Sequence, residues 1–234
     1  MTLNVLIIGA SRGIGLEWAK QFSAQNVNLF LTCRKTNENL EKFSSSATII
    51  PDIDVGSDAC IEKIKNCDKL PSKLDVCIFN SGVLNRETGK IYDGQENFSS
   101  EEIIRQFNVN SVGPLRAIRA LATGNEAAKL QSGSKFFILS SRMGSISDAS
   151  GGMYGYRMSK TAANMAGKAL SNDLKENGIA VGILHPGYVR TDMTGNQGLI
   201  DVDESVSGMM KLVENLNMEN SGTFWHTNGE VLEW

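Results

Sequence analysis

Short aliphatic runs alternate with longer stretches whose apolar residues recur every three or four positions. The runs Leu3–Ile8, Val27–Thr32, Thr48–Ile50, Leu74–Phe79, Lys135–Ser140, Ala180–Leu184 and Gly222–Trp225 read as strands. Helical spacing predicts helices near 13–25, 38–44, 57–67, 99–122, 153–177 and 203–216. Strands that are apolar on both faces and separated by helices predict an α/β fold: a Rossmann-type, doubly wound parallel sheet of about seven strands with helices on both faces. The segments Arg86–Asn97 and Gly144–Gly152 read as polar or glycine-rich loops, too short for a domain junction. A single domain spanning 1–234 is the simplest organisation.

The first strand runs straight into Gly9-x-x-x-Gly13-x-Gly15 and then into a helix with apolar Ile14, Trp18, Ala19 and Phe22. Glycines allow close backbone approach, and the helix start offers free N–H groups and a positive dipole end to a pyrophosphate. A cradle of Gly9, Ser11, Arg12, Gly13, Ile14 and Gly15 therefore predicts dinucleotide binding, although a tight strand–helix turn without ligand has the same glycines. The end of the second strand, where an acid would bond a ribose 2′-hydroxyl, reads Leu31-Thr-Cys-Arg34-Lys35. Arginine grips a phosphate through a planar fork, and lysine adds a point charge. Arg12, Arg34 and Lys35 thus predict NADPH/NADP⁺ over NADH, unless they are only a solvated surface cluster.

Further along stands Tyr156-Arg-Met-Ser-Lys160. On a helix the two side chains lie on one face one turn apart, so an ammonium is expected to lower a phenol's pKa from its usual ~10 and make it a general acid near neutrality. Tyr154 competes, but the residue four beyond it is Met158. A lone Tyr-x-x-x-Lys is commonly a surface pair, so its order relative to the glycine turn carries the weight.

Composition narrows the setting. A formal net charge of −3 gives no general attraction to nucleic acid or anionic membranes, and neither partner is expected. No apolar run approaches the ~20 residues that span a bilayer, and the apolar start lacks a basic lead or cleavage site. Cys33, Cys60, Cys67 and Cys77 lack Cys-x-x-Cys spacing, and His185 and His226 are far apart in sequence. No metal site is expected, and reduced thiols point to a cytoplasmic setting. His185, beside a proline, reads as a packed strand-end residue.

Taken together, the motifs resemble the short-chain dehydrogenase/reductase family over nearly the whole chain. Its glycine signature matches Gly9, Gly13 and Gly15, with Ile8 where many members have threonine, which removes one side-chain hydrogen bond. Its adenine-contacting acid resembles Asp54, followed by Val55. The Asn-Asn-Ala-Gly signature is met by Phe79-Asn80-Ser81-Gly82, with Phe79 replacing the first asparagine. The segment Phe107-Asn-Val-Asn110-Ser-Val-Gly-Pro114 is similar to the one whose asparagine bends a long helix around a water, a role falling to Asn110. The catalytic serine aligns with Ser141, with Ser140 and Ser145 as substitutes, and the longer interval to Tyr156 implies a small insertion around Ser147–Gly152. His185-Pro186-Gly187-Tyr188-Val189-Arg190-Thr191 resembles the nicotinamide-contacting segment, where the Val189 backbone and the Thr191 side chain hold the carboxamide. Within the family the motifs look most like the C-factor and Sniffer-type carbonyl reductases.

The resemblance implies NADPH-dependent reduction of a small ketone or aldehyde. Tyr156 would be the acid, Ser141 would steady the alkoxide, Lys160 would bond the nicotinamide ribose beside Tyr156, and Asn110 would hold a water linking Lys160 to solvent. Val83, Leu84, Arg142, Met143, Met153, Tyr154, Tyr188 and 193–199 would flank an open, shallow substrate pocket. An NADP(H)-binding sensor with incidental turnover is the alternative from another class. The related folds pair their long helices, here 99–122 and 153–177, so a homodimer or homotetramer is expected, with Ala162, Ala163, Ala166 and Ala169 allowing close approach or packing within the protomer.

Overall fold

A computed structural model describes residues 2–87, 91–94, 98–123 and 128–234; within the predicted loop 86–97, residues 88–90 and 95–97 lie outside the described residues. Seven strands, β1 (Leu3–Ile8), β2 (Val27–Thr32), β3 (Ala47–Ile50), β4 (Leu74–Phe79), β5 (Leu130–Leu139), β6 (Ala180–His185) and β7 (Thr223–His226), form one sheet in the order β3-β2-β1-β4-β5-β6-β7. Every neighbouring pair is parallel. The order reverses between β1 and β4, whose carboxyl ends align at Ile8 and Phe79; this is the crevice where such sheets take ligands.

Helices α1 (Gly13–Ser23), α2 (Glu38–Glu41), α3 (Ala59–Lys65), α4 (Ser100–Phe107), α5 (Gly113–Ala122), α6 (Tyr154–Asp173) and α7 (Val202–Asn215) cover both faces. On one face Leu6, Ile8, Phe79, Phe136 and Ile138 meet α3, α5 and α6 through Ile64, Leu121 and Ala163. On the other, Val5, Ile7, Leu31, Phe137 and Leu184 meet α1 and α7 through Trp18, Met209 and Val213. Strand residues alternate between the two faces, and both faces are dry, as the near-continuous apolar runs predict. No helix among the described residues is long and apolar enough to cross a membrane.

Two elements differ from the sequence reading in ways that shape the site. First, the helix expected over 99–122 is two helices joined by a π-helical turn, Asn108–Val112. Pro114 has no N–H to donate to the carbonyl of Asn110, as an α-helix would require, and the chain widens there. Second, β5 begins at Leu130, five residues before the expected start. Its first half is polar and contains Gly133 at φ +87°, and the register with β4 shifts between Leu74 and Val76. Hydrogen bonding rather than apolar alternation holds that half: Ser134 Oγ donates to the Leu74 carbonyl at 2.6 Å.

Candidate active site

At the carboxyl ends of β1, β2 and β4 lies a cavity of about 380 Å³. Of the residues expected to hold a cofactor, Gly9, Ser11, Arg12, Gly13, Ile14, Arg34, Asp54, Val55, Asn80, Ser81, Gly82, Tyr156, Lys160, Pro186 and Thr191 line it. Gly9 has φ +93° and faces Ser81 so closely that a Cβ would lie 2.3 Å from its Oγ; only glycine fits the turn. Gly15 stands behind the wall, against the Gly9 carbonyl and the Asn80 amide, and lets α1 approach the sheet. Gly187 and Val189 are likewise outside the lining. Gly187 turns the chain at φ +87°, and Val189 is buried. Thr191 forms a reciprocal cap with Thr194, and its Cγ2 lies 3.7 Å from where a Cβ on Gly13 would sit, which sets the segment after β6 against the glycine turn.

Asn80 shows that the cavity is built for a polar guest. Its Nδ2 donates to the Gly9 carbonyl at 2.8 Å, while its Oδ1 is buried without a hydrogen-bond partner. A buried acceptor of this kind carries a desolvation penalty that a ligand hydroxyl or amide would relieve. The glycine turn, the orphan acceptor and the cations Arg12 and Arg34 at the far end fit a nicotinamide dinucleotide. Ile8 is wholly buried in the core, and the Gly9 N–H instead reaches the carbonyl and hydroxyl of Thr32 at 3.2 and 3.3 Å. Asp54 accepts from the Gly56 N–H at 3.0 Å. The segment is tied down by two residues the sequence reading missed. Arg116 donates to the Val55 carbonyl at 3.0 Å and the Asn108 carbonyl at 3.2 Å, and Asn108 Nδ2 donates to the Gly56 carbonyl at 2.6 Å. Both sit on or beside the π turn, which nothing in the helical periodicity signals.

At the other end of the cavity α6 presents Tyr156 and Lys160 on one face, with the Lys160 Nζ 5.7 Å from the phenol ring centre. Lys160 is 4% exposed and donates to the Leu139 carbonyl at 2.8 Å. Burial lowers its pKa to about 8. Sequence spacing predicts that Lys160 lowers the pKa of Tyr156; instead burial pushes the phenol up to about 12, opposed by a hydrogen bond from Ser141. The two groups share one buried enclosure, and each charged form pays for desolvation there. A phenol in this state keeps its proton at neutral pH, as a general acid must.

Among the three serines, Ser141 is the one whose hydroxyl acts on Tyr156, drawing its pKa down against burial, although it is Ser140 that lines the cavity. Its Oγ accepts from the Met143 N–H at 3.2 Å, which leaves its proton for the phenol or a substrate. Ser140 turns away to Asn164, and Ser145 bonds Ser147 and the Asp148 N–H. Tyr154 begins α6. Asn110 is 1% exposed. Its side chain is spent on the Val83 N–H and carbonyl at 2.8 and 2.9 Å and on Ser159 at 3.0 Å, so only its main-chain carbonyl is left for a water. His185 ends β6 with its ring 5.0 Å from that of His226. Burial, then His226, Arg142 and Lys160, lower its pKa to about 3; it is a neutral, packed residue. Cys33 lines the cavity, and burial raises its pKa, which disfavours a thiolate. Among the described residues no cluster of histidine, cysteine and carboxylate side chains could hold a metal ion.

Comparisons with known proteins bear on the family and the fold. A family model described as short chain dehydrogenase matches residues 3–199. The chain is 34% identical over 237 residues to 1-hydroxy-2-glutathionyl-2-methyl-3-butene dehydrogenase of Rhodococcus sp. (strain AD45), covering 99% of each chain. It is 36% identical over 162 residues to the C-signal protein of Myxococcus xanthus, covering 69% of this chain and 93% of that one. The NADPH-bound carbonyl reductase from chicken fatty liver superposes with a TM-score of 0.82 at 30% identity, covering 100% of both chains.

Proposed function

Since the chain belongs to the short-chain dehydrogenase family of oxidoreductases, we propose that it reduces a small ketone or aldehyde to an alcohol with NADPH, Tyr156 acting as the general acid. The observation that carries this reading is the meeting of Tyr156 and Lys160, with Ser141 beside the phenol, at one end of a cavity whose other end holds the glycine turn and two cations.

Bound NADPH supplies the hydride that reduces the carbonyl carbon. The substrate oxygen sits between the phenol of Tyr156 and the hydroxyl of Ser141. As negative charge builds on that oxygen, Ser141 donates to it and Tyr156 gives up its proton. Lys160 then faces a tyrosinate in the same enclosure, and its charge stabilises that anion until a proton returns. The return path runs from Lys160 through a water on the Asn110 carbonyl, the carbonyl that Pro114 leaves without an α-helical donor. Arg12 and Arg34 would hold the 2′-phosphate, Asp54 and Val55 would border the adenine, and Asn80, Pro186 and Thr191 would border the nicotinamide half. Val83 and Met193 give the substrate an apolar wall.

The bound NADPH of the chicken carbonyl reductase supports the cofactor choice, and the complete Ser-Tyr-Lys set opposes a pure sensor. Four free thiols fit a cytoplasmic setting. Ile104, Phe107, Leu115, Met158 and Met165 are exposed on α4, α5 and α6, which supports a homodimer or homotetramer through these helices. Ala163 is buried inside the protomer and takes no part. Light scattering at the monomer mass would remove the oligomer. The enzymatic reading is tested by following reduced-nicotinamide absorbance with NADPH and NADH against small aldehydes, quinones, diketones and aryl ketones. NADPH-preferring consumption is the expected result. NADPH binding without consumption overturns the reading in favour of a sensor.

A further inference from the structure

Residues 82–87 run from the end of β4 to the start of α6, and every second one is pinned by a side chain or pins a helix itself. The Val83 main chain is held in both directions by Asn110. The Asn85 N–H donates at 2.9 Å to Oε1 of Gln106, a wholly buried residue of α4. Glu87, only 5% exposed, accepts the N–H of Gly155 at 2.8 Å.

Gly155 is the second residue of α6 and immediately precedes Tyr156. A helix start exposes four N–H groups that its own sequence normally caps. Here the cap position is Met153, in the left-handed conformation at φ 55° and with no side-chain cap. The 20-residue helix that carries the acid therefore begins without a cap of its own, and a carboxylate from 68 residues away supplies one. Its negative charge also suits the positive end of the helix dipole. The second oxygen, Oε2, is buried without a hydrogen-bond partner among the described residues, as is Nε2 of Gln106. A stability-driven design would not bury a half-satisfied carboxylate, so its placement calls for another purpose.

We infer that Glu87 is a positioning residue for Tyr156: it fixes the first turn of α6 against the strap 82–87, so that the acid and the Val83 wall of the cavity are held as one body. Through Asn110 the same strap is tied to the π turn, so the acid, the substrate wall and the proposed proton path share one frame. The inference rests on the reading of Tyr156 as the acid. A misplacement of about 1 Å costs catalysis on the order of a hundredfold.

The test compares the full-length wild type with Glu87→Ala, Glu87→Gln and Glu87→Asp. Steady-state carbonyl reduction, NADPH binding by fluorescence and amide exchange at Gly155 are measured for each. In Glu87→Ala and in the shorter Glu87→Asp, kcat should fall by about tenfold or more, the NADPH Kd should stay unchanged, and Gly155 exchange should accelerate. Glu87→Gln keeps the acceptor and should restore both kcat and protection. Wild-type kcat in Glu87→Ala, or equal losses in Glu87→Gln and Glu87→Ala, overturns the inference; if Glu87→Ala does not fold, the contrast of Glu87→Asp with Glu87→Gln decides it. If the wild type consumes no NADPH with any carbonyl, the enzymatic reading fails separately, and Gly155 exchange still decides whether the contact holds the helix start.

Discussion

The ammonium of Lys160 donates to the main-chain carbonyl of Leu139 at 2.8 Å, which anchors α6 to the end of β5. Burial favours the neutral amine and brings the pKa down to about 8, so Lys160 is protonated below that pH and loses its proton above it. In the proposed reaction, carbonyl reduction consumes a proton through Tyr156, which Lys160 helps to replace. The kcat/KM for reduction should therefore hold up to about pH 8 and decline above it. A profile flat to pH 10 would remove Lys160 from the proton path. Stability moves the opposite way. Between about 8 and the ordinary lysine value of 10.5 the unfolded chain holds the proton and the folded one does not, so stability rises with pH across that window. Lys160→Met should raise Tm at pH 7, with the gain shrinking toward pH 10.5.

Removing the phenolic hydroxyl tests the acid directly. Tyr156→Phe keeps the ring that packs beside Lys160 and should lower kcat by roughly 10²–10⁴-fold while NADPH still binds. Near-normal turnover with bound cofactor would end the assignment.

Cofactor choice rests on Arg12 and Arg34, which line the cavity and make no ion pair among the described residues. An arginine with no carboxylate partner is free to take a phosphate. Arg34→Asp should weaken NADPH by about ten- to a hundredfold, the worth of one charge-assisted contact, and leave NADH binding nearly unchanged. Equal losses for both cofactors, measured by titration, would refute the 2′-phosphate role.

Arg116 ties the segment after β3 to the π turn, bonding the carbonyls of Val55 and Asn108 and pairing with Asp58. Arg116→Met should raise the KM for NADPH several-fold with kcat little changed, because the disturbance falls on the segment Asp54–Val55. A loss confined to kcat would contradict this.

The sheet was legible because each strand carries a short apolar run between helical stretches, and the glycine turn and the Tyr156–Lys160 pair were legible because their spacing is local. Three features were not. The early half of β5 is polar and held by Ser134, so apolar pattern stops short of it. The π turn depends on what Pro114 cannot donate to a residue four earlier, which periodicity does not record; only the resemblance around Asn110 pointed to a bend there. The cap on α6 comes from Glu87, a lone acid in a polar stretch, and only the folded chain brings it to Gly155. The raised pKa of Tyr156 escaped for a related reason: helical spacing shows a neighbouring charge but not the burial that outweighs it.

Phe79, which departs from the family's asparagine, has a matching partner in Gly113. A Cβ on Gly113 would lie 2.8 Å from Phe79 Cζ and 3.5 Å from Val55 Cβ, so the large ring at the end of β4 requires the missing side chain at the start of α5. Phe79 is 1% exposed in a close-packed core that relaxes little. Gly113→Ala should therefore destabilise the fold by about 1–3 kcal/mol, the usual cost of overpacking, against only a modest helix-propensity gain. Phe79→Leu alone should also destabilise by leaving a void. Combined, the two changes should cost less than their sum, because the smaller side chain admits the new methyl group. Urea denaturation of the two single variants and the double variant measures the coupling. Simple additivity would show that the cost of Gly113→Ala arises elsewhere, in the π turn that Gly113 adjoins rather than in the ring it faces.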